Sequence, residues 1–192
     1  VRSSSQIKTQ EQDKRLQARV IESDNKMVEQ TIILLSEGGV SAVTLEAVGV
    51  NAGYSRGLVS KRYGCKDGLL IRVLNILKQW VDQNIEDVTA ERTGLDAINT
   101  LVLALAGHIN AEPAYYRAYF GLWFYGLENY VEENRAEQNQ TEVNHAVQHV
   151  QQLALQRILR WLKQAQETKQ LSKQTDLEMI ADLIMASVVG LI

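Results

Sequence analysis

Cysteine, proline and histidine are scarce in this chain of 192 residues, which has one Cys, one Pro and three His. A single cysteine, Cys65, excludes an internal disulfide framework and a zinc site built from cysteines. One free thiol fits a reducing compartment, so we expect a cytoplasmic protein. Because the chain has only one proline, few positions would break a helix, and the composition favours long helices.

Long apolar runs are also missing. The longest, LIMASVVGLI at 183–192, has about half of the ~20 residues that a membrane span needs. Residues 1–15 have no apolar core, so we expect no signal peptide and no membrane partner. No glycine-rich phosphate loop, nucleophile elbow or pair of acids on an apolar face is present, which argues against an enzyme and predicts no cofactor.

Charge is divided unevenly along the chain. The first 70 residues hold ten basic and eight acidic side chains, a net charge of +2, whereas residues 71–192 hold ten and fifteen, a net charge of −5. The N-terminal third is therefore the better candidate for a polyanionic partner.

Apolar residues recur at helical spacing through most of the sequence, and no stretch alternates like a strand, which predicts an all-α fold. Residues 1–22 are polar and predict a tail, an arm or a loosely held first helix. The following segment, SDNKMVEQTIILLSEGG, predicts a helix that ends at Gly38–Gly39.

Two short helices with clear boundary signals come next, in VSAVTLEAVGVNAGYS and the residues after it. Thr44 is a good N-cap for a helix over 45–52, and Gly53 suits a left-handed residue after it. Ser55 can cap a second helix over 56–63. Two short helices joined by a turn that contains glycine form a helix-turn-helix, here within residues 23–66.

The second of these helices lies in GYSRGLVSKRYGCK, residues 53–66, which contains no acid. On a helical wheel Val59 and Tyr63 face inward, while Gly57, Ser60 and Lys61 face roughly the opposite way. Small and cationic residues on one face suit a DNA major groove, because Arg and Lys neutralise phosphates and glycine permits close approach. The alternative is a solvated amphipathic helix. The four basic residues of the segment are Arg56, Lys61, Arg62 and Lys66.

Residues 25–70 resemble the DNA-binding domain of TetR/AcrR-family transcriptional regulators. The shared frame has a helix, a Gly turn, a Thr cap, A-G-x-S-x-G, an aromatic residue, and a Lys before a Leu pair. Ser60 departs from it, since the family usually has a phosphate-contacting tyrosine there. The frame is carried by Gly39, Thr44, Ala52-Gly53, Ser55, Gly57, Tyr63, Lys66 and Leu69-Leu70. The predicted contacts to operator DNA are Thr44, Ser55, Arg56, Gly57, Ser60, Lys61, Arg62 and Lys66.

The resemblance also implies that residues 67–192 form a helical domain that binds a ligand and dimerises. Eight aromatic residues lie between 115 and 130, and five of them are Tyr. Core packing is the simpler explanation for any single ring, but an apolar pocket with a few polar groups is the usual small-molecule site. The residues predicted to bind an effector are His108, Tyr119, Phe120 and Trp123.

The last two helices predict a homodimer. The final one has no charge after Asp182, and a helix that is apolar on every side must be buried, either in an ordinary core or against a partner. The amphipathic helix before it presents a second apolar stripe. The predicted interface residues are Leu155, Ile158, Leu159, Leu162, Ile184 and Val188.

Glu142, His145 and His149 have a spacing that zinc sites also use. The segment is rich in Gln and Asn, so a solvated helix face is the preferred interpretation, and we predict no metal site. Cys65 beside Arg62 and Lys66 could sense oxidants or simply be tolerated at a turn.

The whole pattern predicts a homodimeric, ligand-responsive regulator of transcription that binds a near-palindromic operator, most commonly as a repressor. The competing hypothesis is a helical interaction or ligand-binding protein that does not regulate DNA.

Overall fold

The computed structural model describes residues 4–133 and 142–190, which form helices and no strands. The all-α fold that the sequence predicts is confirmed. The helices are α1 (Ser4–Ala42), α2 (Leu45–Ala52), α3 (Arg56–Tyr63), α4 (Lys66–Thr89), α5 (Gly94–Ala111), α6 (Pro113–Glu133), α7 (Glu142–Glu167) and α8 (Leu177–Val189). Of the helices described, none combines the length and the apolar content that a membrane span requires.

Helix α1 packs against α2, α4 and α6 and is longer than the apolar pattern indicates. The polar segment after Ser4 is helical and continuous with the predicted first helix, so the boundary drawn after residue 22 falls inside α1. Near the predicted helix end, Gly39 has φ 64° and ψ −165°, a conformation open to glycine, and the chain adds one more turn up to Ala42. The division of the chain into three segments stays a prediction.

Local signals fix α2 and α3 where the sequence places them. Thr44 Oγ1 accepts a hydrogen bond from the Ala47 amide at 3.0 Å, and Ser55 Oγ accepts one from the Leu58 amide at 3.3 Å. Gly53 adopts the left-handed conformation with φ 78°. The predicted N-caps and the predicted glycine turn are therefore confirmed.

The second half is built around α7, which contacts α4, α5, α6 and α8. Helix α4 leads into it from the helix-turn-helix and fully buries Leu70 and Leu77 along its inner face. Helices α6 and α7 are in close contact at Gly126, where an added Cβ would lie 2.5 Å from Val147 Cγ1. The aromatic part of α6 is thereby held against α7.

The predicted interface residues divide by burial within one chain. Ile158, Leu162 and Val188 are buried in its core, where they have no surface to offer a second copy. The half-buried residues are Leu155, Leu159 and Ile184. On α8, which Asp176 caps by accepting a hydrogen bond from the Met179 amide, Met179 and Leu183 are more than half exposed. The interface stays a prediction.

Candidate functional site

Most of the predicted DNA contacts lie on the surface of the helix-turn-helix. On the inner face of α3, Val59 is fully buried and Tyr63 is partly buried, as the helical wheel predicts. The opposite side of α3 is open to solvent. The exposed members of the predicted set are Thr44, Ser55, Arg56, Gly57 and Lys61.

Two of the cations on this surface have no partner within the chain. Neither Arg56 nor Lys61 forms a hydrogen bond or ion pair with the residues that the structure describes. Their charges are therefore available to phosphates or guanine edges. Ser60 differs, because its hydroxyl donates a hydrogen bond to the Gly64 carbonyl oxygen at 3.2 Å and is occupied at the end of α3.

The other two cations attach the helix-turn-helix to α1. Arg62 Nη1 donates to the Val20 carbonyl oxygen at 2.8 Å, and Lys66 Nζ donates to the Val40 carbonyl oxygen at 2.6 Å. Burial lowers the pKa of Lys66, against an opposing effect of Asp67. Arg62 and Lys66 thus have intramolecular partners, and their contact with DNA stays a prediction.

Asp24 joins the end of α3 to α1 and α4. Tyr63 Oη donates to Asp24 Oδ1 at 2.7 Å, and Arg72 Nη2 donates to Asp24 Oδ2 at 3.0 Å. Burial alone would raise the pKa of Asp24, but these two hydrogen bonds and the nearby guanidinium charges hold it below its ordinary value. Burial, followed by the bond to Asp24, raises the pKa of Tyr63. The sequence indicates Asp24 only as a possible helix cap.

Three of the four predicted effector residues line one cavity. Tyr119, Phe120 and Trp123 surround a space of about 50 Å³ together with side chains of α4, α5, α7 and α8. His108 does not line this space. Its Nδ1 lies 3.4 Å from the Tyr116 hydroxyl. Burial raises the pKa of Tyr119, so this phenol remains protonated inside the cavity.

A charged group borders the cavity. Arg157 contributes to its lining, and Arg157 Nη2 donates to Asp82 Oδ1 at 2.8 Å. Lys78 forms an ion pair with the other oxygen of Asp82. Burial would raise the pKa of Asp82, but the bonds from Lys78 and Arg157 lower it. No sequence pattern indicates the pairing of Asp82 with Arg157, because the two residues lie 75 positions apart on α4 and α7.

The residues considered for metal binding or redox sensing lie at the surface. Glu142, His145 and His149 are exposed on α7, and Cys65 is exposed before α4. Within the described parts of the chain, no group of three or more His, Cys, Asp or Glu residues could hold a metal ion.

The N-terminal part of the chain matches a known family. Residues 28–73 match the family model described as "Bacterial regulatory proteins, tetR family". This segment contains α2, α3 and the exposed cations of α3. No curated protein sequence matches the chain.

Solved structures share the fold at low sequence identity. A TetR-family transcriptional regulator from Rhodococcus sp. is 18% identical with a TM-score of 0.65, over 88% of this chain and 84% of that one. The fatty acid degradation regulator FadR from Bacillus halodurans is 13% identical with a TM-score of 0.66, over 87% and 80%. SmeT, the repressor of the Stenotrophomonas maltophilia multidrug efflux pump SmeDEF, is 20% identical with a TM-score of 0.61, over 87% and 75%.

The match of residues 28–73, the capped helix-turn-helix and the fold shared with solved TetR-family structures confirm the predicted resemblance of this chain to the TetR family of bacterial regulatory proteins.

Proposed function

We propose that the protein is a ligand-responsive transcriptional regulator that binds a near-palindromic operator as a homodimer. The observation that carries the proposal is the exposed face of α3, where Arg56 and Lys61 have no partner in the described chain and Gly57 leaves room for close approach. A short helix of this kind enters a major groove, with Ser55 and Thr44 at helix N-termini beside the phosphate backbone. Repression is the mode we favour.

Dimerisation is supported by the apolar surface of the last two helices. Met179 and Leu183 are 55% and 59% exposed on α8, four residues apart and so on one face. Leu155 and Leu159 are half-buried on the adjacent α7. A second copy that covers these residues would form an isologous interface. It would hold two α3 helices about one turn of DNA apart, ~34 Å, or a multiple of that distance.

An effector in the cavity would act on the DNA-binding domain through α4. This helix begins at Lys66, which is bonded to α1, and contributes Val81 and Ile85 to the lining of the cavity. If α4 can adopt two orientations, a ligand that binds one conformation more tightly increases the population of that conformation. The change in α4 would alter the separation of the two α3 helices. Release of the operator is the outcome we expect.

Binding to a random-sequence DNA duplex at low salt separates this proposal from its competitor, a helical protein that does not regulate DNA. A gel shift at about 50 mM salt measures it, since non-specific affinity for DNA is carried by phosphate contacts and falls steeply with salt. We expect a retarded complex that disappears as salt is raised. If no complex forms at low salt, the competing class is favoured.

A further inference from the structure

An ion pair ties α4 to α7 beside the cavity that Tyr119, Phe120 and Trp123 line. Arg157 Nη2 on α7 donates to Asp82 Oδ1 on α4 at 2.8 Å, and both side chains are mostly buried. Breaking this bond would therefore release a link between α7, the centre of the second half, and α4, the helix that follows the helix-turn-helix.

The two partners of this ion pair face different spaces. Of the described residues that line the cavity, Arg157 is the charged one, and the others are aliphatic or aromatic. Asp82 and Lys78 instead line a groove of about 510 Å³ between α4 and α7. Burial is the main cause of the raised pKa of Tyr119, and the charges of Asp82 and Arg157 also influence it, so the ion pair lies close to the cavity.

A carboxylate that enters the cavity can take the place of Asp82 on Arg157 without leaving a charge unpaired. The guanidinium group suits a carboxylate, and a buried anion is tolerated only beside such a partner. Asp82, once displaced, keeps its ion pair with Lys78 and remains partly exposed to solvent. A cation in the cavity would be repelled by Arg157, and a neutral molecule could not replace the charge of Asp82.

The rest of the cavity determines the size and polarity of the ligand. With a volume of about 50 Å³, the space has room for only a few carbon atoms beside the arginine. Its aliphatic and aromatic walls favour burial of methyl and methylene groups.

We infer that the cavity binds a short apolar carboxylate, whose chain lies against Phe120 and Trp123 and whose carboxylate replaces Asp82 on Arg157. The exchange frees α4 from its bond to α7. This inference names the class of effector and rests on the proposed function for its effect on DNA. Binding to the cavity itself can be tested without DNA.

Butanoate and its neutral isostere butanamide test the inference on the full chain. An NMR titration at constant ionic strength follows the indole N–H signal of Trp123, which is identified by its loss in Trp123→Phe. We expect butanoate to bind about tenfold more tightly than butanamide, because it gains a charge-assisted bond in a largely desolvated site.

Three variants of the ion-pair group should change butanoate binding in different directions. Arg157→Gln should abolish the preference for butanoate over butanamide. Asp82→Asn removes the competing charge and should bind butanoate more tightly than wild type, whereas Lys78→Gln leaves Asp82 to Arg157 alone and should bind it more weakly. Arg117→Gln is the matched control, since Arg117 is exposed on α6 outside the lining, and it should bind like wild type.

Absence of butanoate binding, equal binding of butanoate and butanamide, or a preference that survives Arg157→Gln would overturn the site. Weaker binding of butanoate by Asp82→Asn would overturn the exchange, because a purely structural ion pair gives no reason for tighter binding. A gel shift with butanoate against sodium chloride at equal ionic strength separates the two proposals. If butanoate binds as expected but leaves the DNA complex unchanged, the site stands and the ligand response fails.

Discussion

At the scale of residues, the four cations of 53–66 serve two purposes. Arg62 and Lys66 donate to carbonyl oxygens of α1, whereas Arg56 and Lys61 point to solvent without a partner in the described chain. The sequence could not separate them, because the acceptors at Val20 and Val40 lie 42 and 26 residues away along the chain. Charge and helical spacing do not encode such distant partners.

Lys61→Ala should weaken DNA binding, because one phosphate contact is lost. The slope of the logarithm of the binding constant against the logarithm of the salt concentration should become shallower by about one. Fluorescence anisotropy of a labelled duplex over a salt series measures the slope. Lys173→Ala is the control, since Lys173 is an exposed lysine in the connection between α7 and α8. An unchanged slope in Lys61→Ala would argue against the phosphate contact.

Asp24→Asn should lower the free energy of unfolding at pH 7 by about 1–2 kcal/mol, because the charge-assisted bonds to Tyr63 and Arg72 are weakened. The folded-state pKa of Asp24 lies below its ordinary 3.8. Its stabilising effect is therefore present above that pH and is lost as the pH falls through the lower folded value.

Urea unfolding at pH 7 and at about pH 3 tests this expectation, and the difference between wild type and Asp24→Asn should shrink at the acidic pH. Glu22→Gln is a matched control, because the Glu22–Lys26 pair is exposed and should contribute little. A difference that stays constant with pH would rule out the ionised carboxylate as its source.

At the scale of elements, capping signals that act over three or four residues are sufficient to predict where α2 and α3 begin and where α2 ends. Thr44 and Ser55 each accept a hydrogen bond from an amide of the helix that they begin, and the Gly53 N–H donates to carbonyl oxygens at the end of α2. The sequence did not decide between a tail and a helix for residues before 23, since a polar segment lacks the apolar stripe that marks a packed helix. Apolar spacing along α7 does not separate side chains that face the core from those that could face a second copy, so the sequence includes Ile158 and Leu162 in the predicted interface, and the structure buries both within one chain.

Gly126→Ala should lower the free energy of unfolding by about 1–3 kcal/mol, because the new methyl group overlaps Val147 and pushes α6 away from α7. Gly121→Ala, in the same helix with open space around its Cβ position, should instead be neutral or stabilising by up to about 1 kcal/mol. Thermal unfolding compares the two. Equal destabilisation by both would mean that the packing at Val147 is not what requires Gly126.

At the scale of the whole molecule, the proposed regulator consists of two copies of the chain. Helix α8 has apolar side chains around much of its circumference, and one chain covers only part of them: Val188 is buried, but Met179 and Leu183 are exposed. The sequence predicts that the apolar side chains of α8 must be buried. The structure indicates which of them remain exposed in a single chain.

Leu183→Lys should shift the protein from dimer toward monomer, because a charge at the centre of an apolar interface must be desolvated. Sedimentation equilibrium at micromolar concentration measures the shift. Leu103→Lys is the control, since Leu103 is 65% exposed on α5, away from the proposed interface. A wild-type protein that is already monomeric would refute the dimer.

Selection of operators from random duplexes shows whether two α3 helices bind one DNA site together, as we propose. We expect enrichment of a near-palindrome whose half-sites are centred about one helical turn apart, ~34 Å, or a multiple of that distance. Arg56→Ala and Lys61→Ala should bind the selected sequence less tightly. Failure to enrich any sequence, or enrichment of a single isolated half-site, would contradict the claim.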